Sequence, residues 1–191
     1  MNTIFKFALV ACLSSMLTGC FGVGDLEPYY QSPLSAADQA RLMAVNDTLI
    51  VPGVRVGTVF LGATDKQLYD KMGNSIESHR KDVNTTMVYT FQNVIADVNL
   101  WKHVVIRAHA ISPIYATADG IKVGTPEADA KAKLGASVYD EATFDCNSGK
   151  YCTDDQQASK SICYDSGLIV VTVRAVVSML SVVDPGSCKK P

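Results

Sequence analysis

Along Val98–Ile111 apolar and polar residues alternate. Val98, Leu100, Val104, Ile106, Ala108 and Ala110 fall on one face, interrupted by Lys102, and Asn99, Trp101, His103, Val105, Arg107 and His109 on the other. A period of two is the mark of a strand with one face in a core. Further β-rich runs cover Thr86–Gln92, Ser161–Tyr164 and Leu168–Leu180, with Asn93–Asp97 and Asp165–Gly167 as the breaks between neighbours. Asp-Ser-Gly in the second break is a hairpin signal. In Leu168–Leu180 the cleaner apolar face holds Ile169, Val171, Val173, Ala175 and Val177; Thr172, Arg174 and Ser178 lie opposite, among Leu168, Val170 and Val176.

Two other windows carry helix punctuation, and they match each other. Leu61-Gly62-Ala63-Thr64-Asp65 leads through a helical stretch to Met72-Gly73-Asn74-Ser75. Sixty-two residues later Val123-Gly124-Thr125-Pro126-Glu127 leads to Leu134-Gly135-Ala136-Ser137, with Lys71 matching Lys133. Each window reads as a glycine turn, an N-cap at Thr64 or Thr125, a short helix and a glycine C-cap, and Pro126 suits the first helical position. Short strand-like runs precede them, Val54–Leu61 and Ile121–Val123. Each half then reads strand, helix, antiparallel meander. The predicted fold is α+β: two tandem repeats, residues 48–115 and 116–191, joined near Tyr115–Gly120 into one antiparallel sheet with helices on one face.

The start of the chain has a different pattern. Lys6 and the apolar run Phe7–Leu13 are followed by Leu17-Thr18-Gly19-Cys20. The run has the length of a signal-peptide core and is too short to span a bilayer. The tetrapeptide resembles a bacterial lipobox, which implies removal of residues 1–19 and acylation of Cys20, with two or three chains giving a stable anchor. Phe21, with no Asp in that position, implies an outer-membrane destination by the sorting rule of enterobacterial lipoproteins. Residues 20–47 then form a tether, broken by Gly22, Gly24, Pro28 and Pro33, with one helix begun by the capping-box-like Ser35–Asp38 and running to about Val45.

Export alters the reading of the cysteines. Besides Cys12 in the signal and Cys20 at its end, the chain has Cys146, Cys152, Cys163 and Cys188, an even number in the last quarter. They read as two disulfides rather than a zinc site, since no Cys-x-x-Cys or nearby His accompanies them. With Cys163 beside the Asp165–Gly167 turn and Cys188 beyond the far end of one long strand, a Cys163–Cys188 bridge looks too long. That also disfavours Cys146–Cys152, and of the two remaining connectivities the expected one is Cys146–Cys163 with Cys152–Cys188.

Little chemistry emerges. Seventeen basic and nineteen acidic side chains, a net charge of −2, supply no excess to neutralise nucleic acid. The Ser-x-x-Lys spacings at Ser78–Lys81 and Ser187–Lys190 lack companion motifs. His79 is isolated, and His103 and His109 lie too far apart on one strand to share a metal. Asp145–Gly149 departs from a calcium loop in its glycine, and Gln156 stands where Glu is needed. No catalytic group, metal or cofactor is expected. The composition that stands out is the only Trp of the chain, Trp101, beside His103, Arg107 and His109, with Arg174 on the same open face if the two meanders join.

The tandem strand-helix-meander plan is similar to the beta-lactamase inhibitory proteins. A single unit, with its glycine turn and Leu-Gly helix end, resembles the SmpA/OmlA outer-membrane assembly lipoproteins (BamE). Taken with the lipobox, the first resemblance implies a non-enzymatic, lipid-anchored periplasmic protein of inhibitor or immunity type that grips a partner protein through its sheet. The second implies an accessory of outer-membrane assembly or envelope integrity.

Overall fold

The structure, a computed structural model, describes residues 35–81, 85–144 and 152–188. The signal segment, Cys20, Cys146 and the Asp145–Gly149 loop lie outside the described residues. The fold is mixed α+β and mostly sheet. In chain order the elements are α1 (Ala36–Ala44), β1 (Leu49–Val51), β2 (Arg55–Val56), β3 (Val59–Phe60), α2 (Asp65–Met72), β4 (Glu77–Lys81), β5 (Thr86–Thr90), β6 (Val94–Asn99) and β7 (Val104–Ala110). They continue with β8 (Ala116–Thr117), α3 (Glu127–Leu134), β9 (Tyr139–Ala142), α4 (Asp154–Gln157), β10 (Ser159–Tyr164), β11 (Leu168–Val173), β12 (Val176–Val183) and a closing 3-10 turn, Pro185–Ser187.

The helices begin and end where polar and glycine residues satisfy the free backbone groups. Ser35 Oγ accepts from Asp38 N at 3.1 Å at the start of α1. Thr64 and Gln67 form a capping box on α2, and Gly73 (φ 73°) closes it. Gly135 (φ 77°) closes α3 in the same way, but its N-cap is Pro126, with no side-chain cap bond. Thr125, the expected cap, instead accepts from Lys122 N through Oγ1 at 3.0 Å.

Two sheets result. The small one has the order β3-β2-β1-β8, with β8 parallel to β1. The large one is antiparallel throughout, β4-β5-β6-β7-β12-β11-β10-β9, and its seam between the halves is the β7–β12 pair. Val94, Ala96, Ala108, Ala110, Leu180, Val182, Leu168 and Val170 on one face of the large sheet share a core cluster with Ile50, Val56 and Phe60 of the small sheet, Leu68 of α2 and Ala130 of α3.

Several strand boundaries differ from expectation, for one recurring reason. The expected strand Val98–Ile111 is two strands, β6 and β7, joined by a turn at residues 100–103, so Asn93–Asp97 is no separator. Leu168–Leu180 is likewise β11 and β12, joined by Arg174 (φ 51°) and Ala175 (φ 61°). The turn residues with positive φ are His103, Arg174 and Ala175, which carry none of the usual turn chemistry. Val54–Leu61 is the β2–β3 hairpin rather than one strand, Ile121–Val123 forms a bridge at Lys122 and no strand, and His79 lies on β4.

The faces change with the boundaries. A β-bulge sets one step from Asp97 to Val98 against two from Arg107 to Val105. Val105 thereby joins Ala108 and Ala110 in the core, while Ile106 stays 40% exposed. In β11 it is Leu168, Val170 and Thr172 that are fully buried, and Ile169, Val171 and Val173 that lie half-buried on the opposite face. With both faces apolar, the period of two could not say which was which.

The disulfide expectation falls with the missed turn. Cys163 is bonded to Cys188, with Cα atoms 5.8 Å apart. Because β12 runs back along β11, placing Val182 opposite Leu168, its end returns to the β10–β11 turn beside Cys163. The expected Cys146–Cys163 and Cys152–Cys188 pairs are thus incorrect; Cys152 is itself disulfide-bonded.

Candidate functional site

The five residues singled out for partner binding do not form one patch. Trp101 and His103 occupy the β6–β7 turn, Arg107 and His109 lie on β7, and Arg174 sits at the β11–β12 turn. Since Val183 opposes Arg107 and Leu180 opposes Ala110, the two turns stand at opposite ends of the sheet. Arg174 instead pairs with Asp155 at 2.8 Å, both side chains well exposed.

The β6–β7 turn is held firmly. Asn99 Oδ1 accepts from Trp101 N at 3.0 Å and from Lys102 N at 2.9 Å. On its other flank Asp65 N donates to the His103 carbonyl at 3.1 Å, and His103 Nδ1 lies 3.1 Å from Asp65 Oδ2. Leu100 N donates to Thr85 O at 2.9 Å. These bonds hold the backbone under Trp101 while its indole remains 65% exposed. The sequence carried a signal for Asn99, whose type favours bonding to the amides that follow it. Asp65, far away along the chain, gave none.

On the face of the large sheet away from the core cluster, His109 joins a buried polar row. His109 Nδ1 lies 2.7 Å from Ser181 Oγ across the seam, and Nε2 lies 3.4 Å from Asp97 Oδ1. Lys81 Nζ approaches Asp97 Oδ2 at 3.7 Å. Burial would raise the Asp97 carboxyl, but the hydrogen bond and charge of His109, with Lys81 and Arg107, hold it below the usual range. Ser, His and Asp in this order have the residue types of an acyl-transfer triad. Attack requires a substrate carbon about 3 Å from the hydroxyl, yet Ser181 is 2%, Asp97 4% and His109 7% exposed. The row works here as a cross-strand tie between the halves. Sequence reading missed it because Ser181 stands 72 residues from His109.

A second charged cluster lies beneath α3. Glu127, 8% exposed, accepts from Lys131 Nζ at 2.8 Å and from Thr172 Oγ1 at 2.9 Å, and Lys160 Nζ stands at 3.5 Å. The hydrogen bond from Lys131 lowers the Glu127 carboxyl against its burial, with Thr172 assisting. Lys131 also pairs with Asp140. Among the described residues no group of three His, Cys, Asp or Glu side chains could hold a metal ion. No described helix is long and apolar enough to cross a membrane.

No family model and no curated protein matches the chain. Among solved structures it is similar to the uncharacterized protein yfeY from Escherichia coli, with 13% identity and a TM-score of 0.45, over 72% of this chain and 99% of that one. It is also similar to a cysteine-rich secretory protein (SAV1118) from Staphylococcus aureus subsp. aureus Mu50, with 18% identity and a TM-score of 0.42, over 73% of this chain and 49% of that one. Neither bears the name of the inhibitory or assembly proteins that the sequence resembles.

Proposed function

We propose that the chain is a lipid-anchored, periplasm-facing envelope protein that binds another protein, as an inhibitor or immunity protein does. The contact is the β6–β7 turn with the adjoining open face of the large sheet. The observation that carries this reading is Trp101, held 65% exposed on a turn whose amides are tied to Asn99. A large ring on a preordered backbone gains contact area with little entropy to lose, which is why Trp dominates protein interfaces. Arg107, half-buried on β7, is the neighbouring cation. His109 and Arg174 leave the proposed site, the first because it is buried and the second because it stands at the other end of the sheet.

The rest of the reading belongs with it. Cys20 carries the lipid that anchors the protein to the outer membrane, and the role is not enzymatic; the burial of Ser181 supports the second point. The two halves are copies of one strand-helix-meander unit. Matched bonds support this: Gly62 N donates to Val105 O and Gly124 N to Val177 O, each at 2.8 Å. Asp65 N donates to His103 O and Glu127 N to Ala175 O at the equivalent places.

The test is a pull-down from envelope extract with soluble protein starting after Cys20, beside a Trp101→Ala, Arg107→Ala variant. The expected result is one stoichiometric partner, lost in the variant. A toxin or hydrolase as partner fits the inhibitor reading, and a component of the outer-membrane assembly machinery fits the accessory role. A partner retained by the variant, or none at all, refutes the proposed site.

A further inference from the structure

Among the described residues the large sheet ends in two edges, β4 and β9, which differ in one decisive respect. Every residue of β4, Glu77-Ser78-His79-Arg80-Lys81, is exposed, and among the described strands β4 pairs with β5 alone. A free strand edge offers a row of unsatisfied N–H and C=O groups to another strand, and charged side chains commonly block such pairing. The charges of β4 do not block a second copy arriving antiparallel about a two-fold axis through His79. That register sets Glu77 of each copy opposite Lys81 of the other and Ser78 opposite Arg80, with the two His79 side chains facing across the axis. Alternation agrees: Glu77, His79 and Lys81 share one face, and Ser78 and Arg80 share the other. Opposite charges directly across an antiparallel pair attract, and like charges repel.

The other edge lacks this property. In β9, Tyr139-Asp140-Glu141-Ala142, any two-fold antiparallel register centred between or on the acidic residues brings carboxylate against carboxylate. A dimer made through β4 therefore stops at two copies.

We infer that β4 is a self-complementary docking edge and that the partner it fits is a second copy of this chain, giving a two-fold dimer with one continuous sheet across both subunits. Ile76, 72% exposed at the start of the same edge and on the face of Ser78 and Arg80, gains cover from the stem of the partner's Arg80, its diagonal neighbour in this register. Five residues of strand span about 17 Å, a small contact beside the roughly 1,000 Å² of a stable interface. Dimerisation is accordingly weak, and concentration on a membrane surface would favour it.

The measurement is sedimentation equilibrium of the soluble chain from micromolar to about millimolar, with circular dichroism as the control on folding. The wild type is expected to reach a dimer and no larger species. Glu77→Lys, which places lysine opposite lysine, should weaken association at least tenfold. Glu77→Lys with Lys81→Glu should restore it. Because Lys81 also approaches Asp97, a second pair avoids it: His79→Glu and His79→Lys should each stay monomeric and form a heterodimer when mixed. A monomer throughout the concentration range overturns the inference. So does association that survives Glu77→Lys, or longer assemblies abolished by Glu141→Lys, the mark of head-to-tail pairing between β4 and β9.

Discussion

The two halves of the large sheet use the same backbone clasp and hang different chemistry on it. In each, a glycine turn and the first residue of a helix bond to the opening residues of the last strand of that half. Each also has a bulge at the corresponding place, between Asp97 and Val98 and between Val171 and Thr172. Sixty-two residues apart, Tyr69 and Lys131 lie in matching places on α2 and α3. Tyr69 stands edge-on to Tyr89, with centroids 5.3 Å apart, and burial with the Tyr69 hydrogen bond pushes the Tyr89 phenol up to about 12. Lys131 spends its charge on Glu127 and Asp140, and the buried Tyr164 hydroxyl has no hydrogen-bond partner among the described residues.

The turns diverge most. The β6–β7 turn is long enough to display Trp101, whereas β11–β12 closes on two residues, Arg174 and Ala175. The comparison separates frame from function. What both halves contain is needed to close a helix onto a strand, and what only one contains is free to serve a partner.

The contrast can be broken first at the backbone. A Cβ on Gly167 (φ 79°) would meet Val183 O at 2.3 Å and Gly53 Cα at 2.9 Å. Gly167→Ala should cost about 3–4 kcal/mol in chemical denaturation. The matched C-caps Gly73 and Gly135 have open space around them but hold a positive φ with extended ψ that side chains rarely adopt, so alanine there should cost about 1–3 kcal/mol, the same in both halves. Unequal costs at the two caps would contradict a common frame. Next, replacing Cys163 and Cys188 together opens a bridge spanning 25 residues and should remove about 3 kcal/mol. Hydrogen exchange should then show β10–β12 opening before β5–β7.

Acid acts on both halves with the same sign through different residues. The folded Asp97 and Glu127 carboxyls are held below their ordinary values. Each therefore contributes stability that is present above the unfolded range near pH 4 and is lost as pH falls through the lower folded value. Asp97→Asn and Glu127→Gln should each cost about 1–3 kcal/mol at pH 7, with the difference from wild type shrinking toward pH 2. A difference independent of pH would assign the loss to packing.

How much of this the sequence disclosed follows from the range of each signal. The glycine C-caps and the Thr64 N-cap are local and read correctly, as does the β-rich character, whereas the N-cap of α3 is Pro126 and not Thr125. The turns at residues 100–103 and 174–175 were hidden because His103, Arg174 and Ala175 take positive φ without the residue types that announce it. The disulfide error descends from the second of these. The bulge at Asp97 reversed which of Val105 and Ile106 faces the core, and no pattern of apolar residues records a bulge. Trp101 was conspicuous as composition, but its place on a turn was not. The Asp97–His109–Ser181 row exists only once β6, β7 and β12 are neighbours.

The most direct test of the account compares the two turns as binding elements. With the recovered partner in hand, Trp101→Ala and Arg174→Ala would be titrated by calorimetry against the wild type. Both residues are exposed, so each variant should keep its stability to within about 0.5 kcal/mol. Trp101→Ala should weaken binding by more than about tenfold, as removal of a central interface Trp does, and Arg174→Ala should bind as wild type. Equal affinity for wild type and Trp101→Ala, or a loss confined to Arg174→Ala, would contradict the assignment of function to the first half's turn.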